Sequence, residues 1–361
     1  MNDKFKIDSH KMNHHPERVA QWLEAGDDWE KAKKIYPLYI EVSSCGACNH
    51  RCIFCALDYL DYKTGSINTE NYLKTLEDMA AGRVKSVMYG GEGEPLIHAK
   101  IRDFTLKTKD LGMDVAFTTN GVFMNEDFLE TALPITTWLK VSIDAGTKEN
   151  YAKIHRTKEE DFDTVLKNLK KAKEIKEKNN LPVTLGTQML LIPENHQEAV
   201  TLAKIVNDIG VDYLVIKPYS QHLMSENKRD IDYEKYLYLE DELNKLSNKN
   251  FDIIFRRHTM EKYDTDTRDH PHCLAAPFFW AYIMANGDVY TCSAFLGDKR
   301  FCIGNINEKS FKEIWESEER RKNWEFIKNL DISQCRQNCR MDEVNRYLWN
   351  LKNPPEHVNF I

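Results

Sequence analysis

The stretch SSCGACNHRCIFCALDYLDY, Ser43–Tyr62, places four of the chain's nine cysteines within eleven residues. Two groupings are open. One is Cys48-x3-Cys52-x2-Cys55, with Cys45 left over; the other joins Cys45-x2-Cys48 to Cys52-x2-Cys55, the four-thiolate pattern of a small structural zinc loop. A cubane iron–sulfur cluster also takes four ligands, one per iron, so three thiolates leave one iron open to a substrate or cofactor. Composition bears on the choice. Of 361 residues, 42% are hydrophobic and 30% charged, as in a globular protein, and the formal net charge of -7 argues against general binding to nucleic acid or to an anionic membrane. The opening MNDKFKIDSHKMNHHPER lacks an apolar signal core, and no apolar run nears the ~18 residues of a membrane span. A cytoplasmic protein is expected, and in that compartment clustered cysteines are metal ligands or reactive thiols rather than disulfides.

Outward from the loop, strand and helix patterns alternate. LYIEV (38–42) is a short apolar strand running into the cysteines. NTENYLKTLEDMAAG is a helix with Asn68 or Thr69 at its N-cap and Gly82 at its end. KSVMYGG, DVAFTTNG, TWLKVSID, VTLGTQMLLI and VDYLVIKP follow as strands, separated by helical segments. The longest is EEDFDTVLKNLKKAKEIKEKN, with Phe162, Val165, Leu169, Ala172 and Ile175 on one face. About six βα repeats over 38–245 predict parallel strands covered by helices. In such folds chemistry sits at the C-terminal ends of the strands. The unusual motifs fall there: the cysteine loop after the first strand, GGEGEP (90–95) after the second, TTNG (118–121) at the third and SIDAG (142–146) at the fourth.

In this order and spacing the chain resembles the radical S-adenosylmethionine superfamily. Cys48, Cys52 and Cys55, with aromatic Phe54 before the last, match its CxxxCxxC loop; GGEGEP is similar to its glycine-rich GGE motif with an extra Gly-Glu step; SIDA and TTNG are recurrent elements. The resemblance spans about 38–225 and implies a partial (βα)6 barrel. It implies that the three thiolates hold a 4Fe–4S cluster whose fourth iron is chelated by S-adenosylmethionine. One-electron cleavage of that cofactor then gives a 5′-deoxyadenosyl radical that abstracts a hydrogen atom. Phe54, Gly90, Gly91, Glu92, Gly93, Glu94, Asn120, Ser142 and Asp144 are the implied cofactor-binding residues. The glycines would let the backbone approach the methionine moiety. Glu92 or Glu94 would accept from its ammonium group; Glu94 precedes a proline as in the shorter GGEP form, and Glu92 stays an alternative. Ser142 and Asp144, two residues apart on one strand, would face the ribose or carboxylate. Cys45 is expected as a buried free thiol.

The other five cysteines lie beyond residue 272. HPHCLAAPFFWAYIMANGDVYTC holds Cys273 and Cys292 around an aromatic strand, an Asn286-Gly287 turn and a second strand, a hairpin by its turn chemistry. Cys302 follows, and CRQNC supplies Cys335 and Cys339. This part resembles the SPASM, or shorter twitch, extension. Its cysteine count implies one auxiliary 4Fe–4S cluster on Cys273, Cys292, Cys335 and Cys339, with a zinc ribbon on the same four as the alternative. Cys302 is left as a hydrogen donor, an alternative ligand or an inert thiol. The resulting division is a helical lead-in over 1–37, a radical S-adenosylmethionine core over 38–245 and an auxiliary-cluster extension over 246–361. The lead-in is short for the winged-helix recognition module of many peptide-modifying relatives.

The implied activity is that of a radical S-adenosylmethionine oxidoreductase or related enzyme. Its substrate is expected to be a sugar, an aminocyclitol or a nucleotide sugar, undergoing dehydrogenation, epimerisation or dehydration. A peptide or protein maturase is the alternative. Expected partners are that carbohydrate-like small molecule and an electron donor such as flavodoxin or ferredoxin, with neither nucleic acid nor membrane. Lys217, Tyr219 and Cys302 are the candidate catalytic residues; Gln221, His222, Arg256, Arg257 and His258 are further polar groups near the substrate, and a lysine with arginines would suit a phosphorylated or carboxylated molecule.

Overall fold

The computed structural model describes residues 5–7, 9–265, 268–336 and 338–360. Six parallel strands form where the apolar runs predict them: β1 Tyr39–Ser43, β2 Ser86–Gly90, β3 Asp114–Thr119, β4 Trp138–Ser142, β5 Thr184–Leu191 and β6 Tyr213–Pro218. They lie side by side in sequence order, β1 pairing with β2 from Tyr39↔Ser86 to Ser43↔Gly90 and so on to β5 with β6. Sequential order with parallel pairing is what short helical crossovers produce. The helices Thr69–Ala81, Ile101–Asp110, Glu160–Lys178 and Ala199–Ile209 cover the outer face. The first is capped by Asn68, whose side chain accepts from the Asn71 N–H, and it ends at Gly82.

The sheet continues past these six. β7 (Asp252–Phe255) adds in parallel to β6. At the other edge β8 (Trp280–Ile283) adds in parallel to β1, so the first strand of the cysteine-flanked hairpin is also a strand of the core sheet. β9 (Asp288–Tyr290) and β10 (Cys302–Asn305) then pair antiparallel, the β8–β9 hairpin being the one that the Asn286-Gly287 turn predicts.

Alternation within the strands sorts the two faces. Leu139 and Val141 of β4, Leu185 and Leu191 of β5 and Leu214 and Ile216 of β6 are fully buried in one large core under the helices. Lys140, Gln188, Leu190, Val215 and Lys217, on the opposite face of the same strands, line an internal cavity. A second core joins the N-terminal helix Pro16–Ala25 to the extension through Trp22, Phe278, Phe279, Trp324 and Leu348. Arg320 of the helix Glu318–Lys328 is buried there. It donates to the Pro277 and Trp315 carbonyls at 2.9 and 2.8 Å, and its guanidinium lies 4.1 Å from the Trp315 ring centre. No helix among the described residues is long and apolar enough to cross a membrane.

Candidate functional site

The cysteine loop leaves β1 and is laid along the end of the helix Lys148–His155. The Arg51 and Ile53 N–H groups donate to the His155 and Ile154 carbonyls at 2.9 Å each. The Cys55 carbonyl is held from the other side by the Asn227 side-chain amide at 3.2 Å. This lacing fixes three thiols in one place. Burial first, then Glu94 and the Cys55 thiol, raises Cys48 to about 12; burial and then Cys55 raise Cys52 well above its ordinary value, and burial also raises Cys55. Neutral thiols crowded out of water in this way are what a metal stabilises as thiolates. The His50 backbone N–H donates to Cys48 Sγ at 3.4 Å. Cys45 is apart from them: it is buried, and its sulfur receives the Ser66 hydroxyl at 3.6 Å. The loop therefore offers three sulfurs together rather than four, a donor set that fits an open-iron cubane better than a closed zinc tetrahedron.

Two histidines that the sequence reading did not single out stand behind Cys52. His155 Nδ1 lies 3.2 Å from Cys52 Sγ, while its Nε2–H donates to the Ile143 carbonyl at 2.8 Å. His50 faces Asp161 across 3.3 Å. Ligand-type atoms of His50, Cys52 and His155 all fall within 4.8 Å of one another. Each imidazole is tied to its own partner on the chain, so they support the loop from behind.

The GGEGEP segment divides its work. Glu94 is fully buried: Oε1 accepts from the Thr119 hydroxyl at 2.6 Å and the Leu96 N–H at 3.1 Å, and Oε2 from the Asn120 N–H at 2.8 Å. Burial pushes its carboxyl up to about 7. Glu92 reaches the other way, Oε1 accepting from the Ala285 N–H of the β8–β9 turn at 2.8 Å. The two carboxylates expected to compete for one role thus occupy different places. A Cβ on Gly93 would sit 2.1 Å from the Cys45 carbonyl, and one on Gly91, at φ +106, 2.4 Å from the Tyr282 hydroxyl. Both glycines are required by packing of this loop on the cysteine loop and on the extension, contacts that spacing alone does not reveal. At Gly90 a Cβ would meet nothing closer than 3.4 Å. Asn120 donates its amide to Asn49 Oδ1 at 2.7 Å within the cysteine loop.

At the ends of β4 and β5, Gln188 donates to Ser142 Oγ at 3.3 Å, and Asp144 Oδ1 accepts from the Leu190 N–H at 2.5 Å. Asp144 Oδ2 and Gln188 Oε1 are buried with no hydrogen-bond partner among the described residues. Burial lifts the Asp144 carboxyl to about 7. Orphaned buried acceptors beside three clustered thiols fit a polar ligand laid across the strand ends.

Cys273, Cys292, Cys335 and Cys339 line one small pocket, walled by Trp280, Phe295, Phe301 and Ile327. Burial first, and then the Cys339 thiol, raises Cys273 to about 11 and Cys335 to about 12. The C-terminal helix Asp342–Lys352 braces this set. Asn345 accepts from the Leu274 and Ala275 N–H groups at 2.8 Å each and donates to Cys273 Sγ at 3.6 Å. Arg268 holds the Cys335 loop through the Ile332, Cys335 and Arg336 carbonyls. Cys302 is outside this pocket. Its thiol faces the Gly304 carbonyl at 3.6 Å, on the edge strand β10.

Between the two thiol sets lies a cavity of about 410 Å³. Phe54 and Ala56 of the first loop form one wall, and Arg336, Asn338 and Cys339 of the second form another. Lys217, Tyr219, Arg256 and His258 line it, as the sequence reading expects, and Lys140 joins them. Gln221, His222 and Arg257 do not. Gln221 accepts from the Arg229 N–H at 3.1 Å; His222 stacks on Tyr59 at 4.9 Å; Arg257 pairs with Glu240 and Glu261 at the surface. Burial and then Arg336 hold His222 at about 4.

Comparisons with known proteins agree with this geometry. The family described as the radical SAM superfamily matches residues 42–206, and the iron-sulfur cluster-binding domain SPASM matches residues 273–340. The tungsten-containing aldehyde ferredoxin oxidoreductase cofactor-modifying protein of Pyrococcus furiosus is 26% identical over 321 residues, covering 82% of this chain and 85% of its own length. The AdoMet-dependent heme synthase of Methanosarcina barkeri is 23% identical over 304 residues, covering 78% and 83%. Among solved structures, Streptococcus suis SuiB bound to the precursor peptide SuiA superposes with a TM-score of 0.64 at 17% identity, covering 85% of this chain and 69% of that one, a likeness of fold.

Proposed function

We propose, for a chain that belongs to the radical S-adenosylmethionine superfamily and carries a SPASM domain, that it removes a hydrogen atom from a small molecule seated between its two cysteine sets. The radical SAM domain binds a 4Fe–4S cluster and S-adenosylmethionine, and the SPASM domain binds auxiliary iron–sulfur chemistry. When bound, the first cluster and its cofactor supply reductive cleavage and hydrogen-atom abstraction. The chain's own residues do the rest. Cys48, Cys52 and Cys55 hold the first cluster, and Cys273, Cys292, Cys335 and Cys339 hold a single auxiliary one. Ser142, Asp144 and Gln188 bind the cofactor's polar groups, Phe54 packs beside it, and Glu94 keeps the β3 end and Asn120 in register against the cysteine loop. Glu92 ties that loop to the extension.

The observation that carries this reading is the cavity of about 410 Å³ whose walls come from both cysteine loops. That volume is in the range of small-molecule sites. A substrate there touches the abstracting side through Phe54 and Ala56 and the auxiliary side through Cys339, which with its partner cysteines would hold an acceptor for the one electron that a substrate radical loses on becoming an oxidised product. A sugar, aminocyclitol or nucleotide sugar fits it, processed in the cytoplasm with flavodoxin or ferredoxin as electron donor. A second reading, a cofactor precursor, draws on the two relatives above, named a cofactor-modifying protein and a heme synthase, each matched over more than three quarters of both chains. The test is anaerobic reconstitution followed by assay of substrate-dependent 5′-deoxyadenosine with nucleotide sugars, cofactor precursors and peptides. Stimulation by a small molecule is expected; stimulation by peptides alone overturns the reading.

A further inference from the structure

The wall of the central cavity gathers cations, two of them lysines with no ion-pair partner among the described residues. Lys140 of β4 and Lys217 of β6 point into it, with Arg256 and Arg336. Neither lysine has a carboxylate within ion-pair distance among the described residues; the nearest aromatic partner of Lys140 is the Trp138 ring at 5.7 Å. Burial, then Arg256 and Arg340, pulls the Lys217 ammonium down to about 8, and burial with Lys217 next pulls Lys140 well below its ordinary value. Of the acids nearby, Asp144 acts favourably on Lys217 but is beyond ion-pair distance and is assigned to the cofactor's polar groups; the others are committed elsewhere. Glu41 is paired with Arg340. Asp342 holds Lys262 at 2.7 Å and Arg346 at 3.0 Å, and Glu343 pairs with Lys262 and His258. Four further polar atoms on the lining residues are buried with no hydrogen-bond partner among the described residues: Arg336 Nε, Ser220 Oγ, and Nδ2 and Oδ1 of Asn338.

Like charges gathered around one cavity repel, and a fold tolerates them when a ligand of opposite charge completes the set. Lysines are compact point charges suited to phosphate oxygens, and Arg336 adds a directed N–H. We infer that Lys140, Lys217 and Arg336 form the seat of a phosphate or diphosphate ester group on the substrate. The inference rests on the reading of this cavity as the substrate site and narrows it to phosphorylated substrates, a nucleotide diphosphate sugar being the member of the expected class that fits. The phosphate end lies against β4, β6 and the Cys335–Cys339 loop, leaving the other end of the molecule toward Phe54.

The test uses the reconstituted protein with its iron–sulfur clusters and inorganic pyrophosphate as probe, by titration calorimetry without turnover. One equivalent is expected to bind, and to bind equally when S-adenosylhomocysteine is present. Lys140→Met and Lys217→Met should each weaken it by about tenfold or more, and exposed Lys170→Gln should leave it unchanged. A second readout separates ligand binding from structural support. Without pyrophosphate, Lys217→Met should melt at or above the wild-type temperature, because a repelling buried charge has been removed; with pyrophosphate, the wild type should gain and the variant should not. Absence of saturable binding, undiminished binding in both lysine variants, displacement by S-adenosylhomocysteine, or equally tight binding of succinate would each overturn the inference. Should pyrophosphate fail while an uncharged small molecule stimulates 5′-deoxyadenosine formation, the cavity remains the substrate site and only the phosphate seat is lost.

Discussion

The two cysteine sets solve the same problem at different ranges. The first gathers three thiols from eight consecutive residues, Cys48 to Cys55, on a loop held by the end of the helix Lys148–His155 and by the Asn120 and Asn227 amides. The second gathers four thiols from Cys273 to Cys339, across a hairpin, an edge strand and three helices. Its geometry depends on Asn345, Arg268 and the docking of the C-terminal helix, contacts far apart in sequence. A short-range site is written into spacing; a long-range one exists only when the fold around it exists. Substitutions near the first should change chemistry with little effect on stability, and substitutions around the second should change both.

The largest expected effect falls on the first set. Cys52→Ala should abolish cleavage of S-adenosylmethionine, a loss of roughly a thousandfold or more, since the cluster loses one of three protein ligands. Cys45→Ala should leave cleavage within about twofold, because that sulfur bonds to Ser66. The reverse pattern breaks the three-thiolate assignment.

At the second set, Cys339→Ala should remove the auxiliary cluster's absorbance and product formation while 5′-deoxyadenosine is still released. Cys302→Ala, on β10, should keep both. If Cys302→Ala in deuterated water instead eliminated deuterium incorporation at an inverted carbon, the thiol would be a hydrogen donor and the reaction an epimerisation.

A smaller effect tests how the two regions are joined. Arg340, next to Cys339 in sequence, pairs with Glu41 on β1, and its own exposure is partial. Arg340→Gln should cost about 2–3 kcal/mol in urea denaturation by leaving Glu41 buried without its cation. Arg340→Gln combined with Glu41→Gln should recover much of that loss. Equal stability of the single variant and the wild type would mean that this ion pair adds nothing to the β1–β8 pairing and the Glu92–Ala285 contact that also join the two regions.

The smallest effect is a pH dependence confined to the second region. Burial raises the Asp342 carboxyl, but hydrogen bonds from His270, Lys262 and Arg346 outweigh it and hold the carboxyl well below its usual range. A depressed carboxyl stabilises above its unfolded value, near 4, and that contribution is lost as pH falls through the folded value. Unfolding midpoints measured from pH 7 to pH 3 should therefore fall more steeply below about pH 4 in the wild type than in Asp342→Asn. Parallel curves would remove Asp342 as the brace of the auxiliary site.

How much of this was legible follows the same division. The six strands and the positions of the motifs at their ends were readable, because each βα unit carries its own apolar period and caps. The four cysteines of the second set could be grouped by count, yet why Cys302 lies outside their pocket, its place on the edge strand β10, belongs to the tertiary pairing. Lys140 was within reach: it lies two residues before Ser142 on one strand, so it shares that residue's face. His155 and Asn345 carried no signal, since a histidine ending a helix and an asparagine within one are ordinary until a loop packs against them. Gln221 and His222 follow the lining residues Lys217 and Tyr219 in the sequence, but the chain turns there and carries them out of the cavity. Glu92, placed with the cofactor by motif, also accepts from the Ala285 backbone through Oε1, a contact between segments nearly two hundred residues apart that spacing does not announce.

The most direct test of the account is the iron and zinc content of the anaerobically reconstituted chain, beside that of the triple Cys48→Ala, Cys52→Ala, Cys55→Ala variant. Two independent cubane sites on seven thiolates predict about eight irons per wild-type chain and about four in the variant, with the remaining cluster visible by electron paramagnetic resonance. Four irons in the wild type with one tightly held zinc, or loss of all iron in the variant, would contradict it.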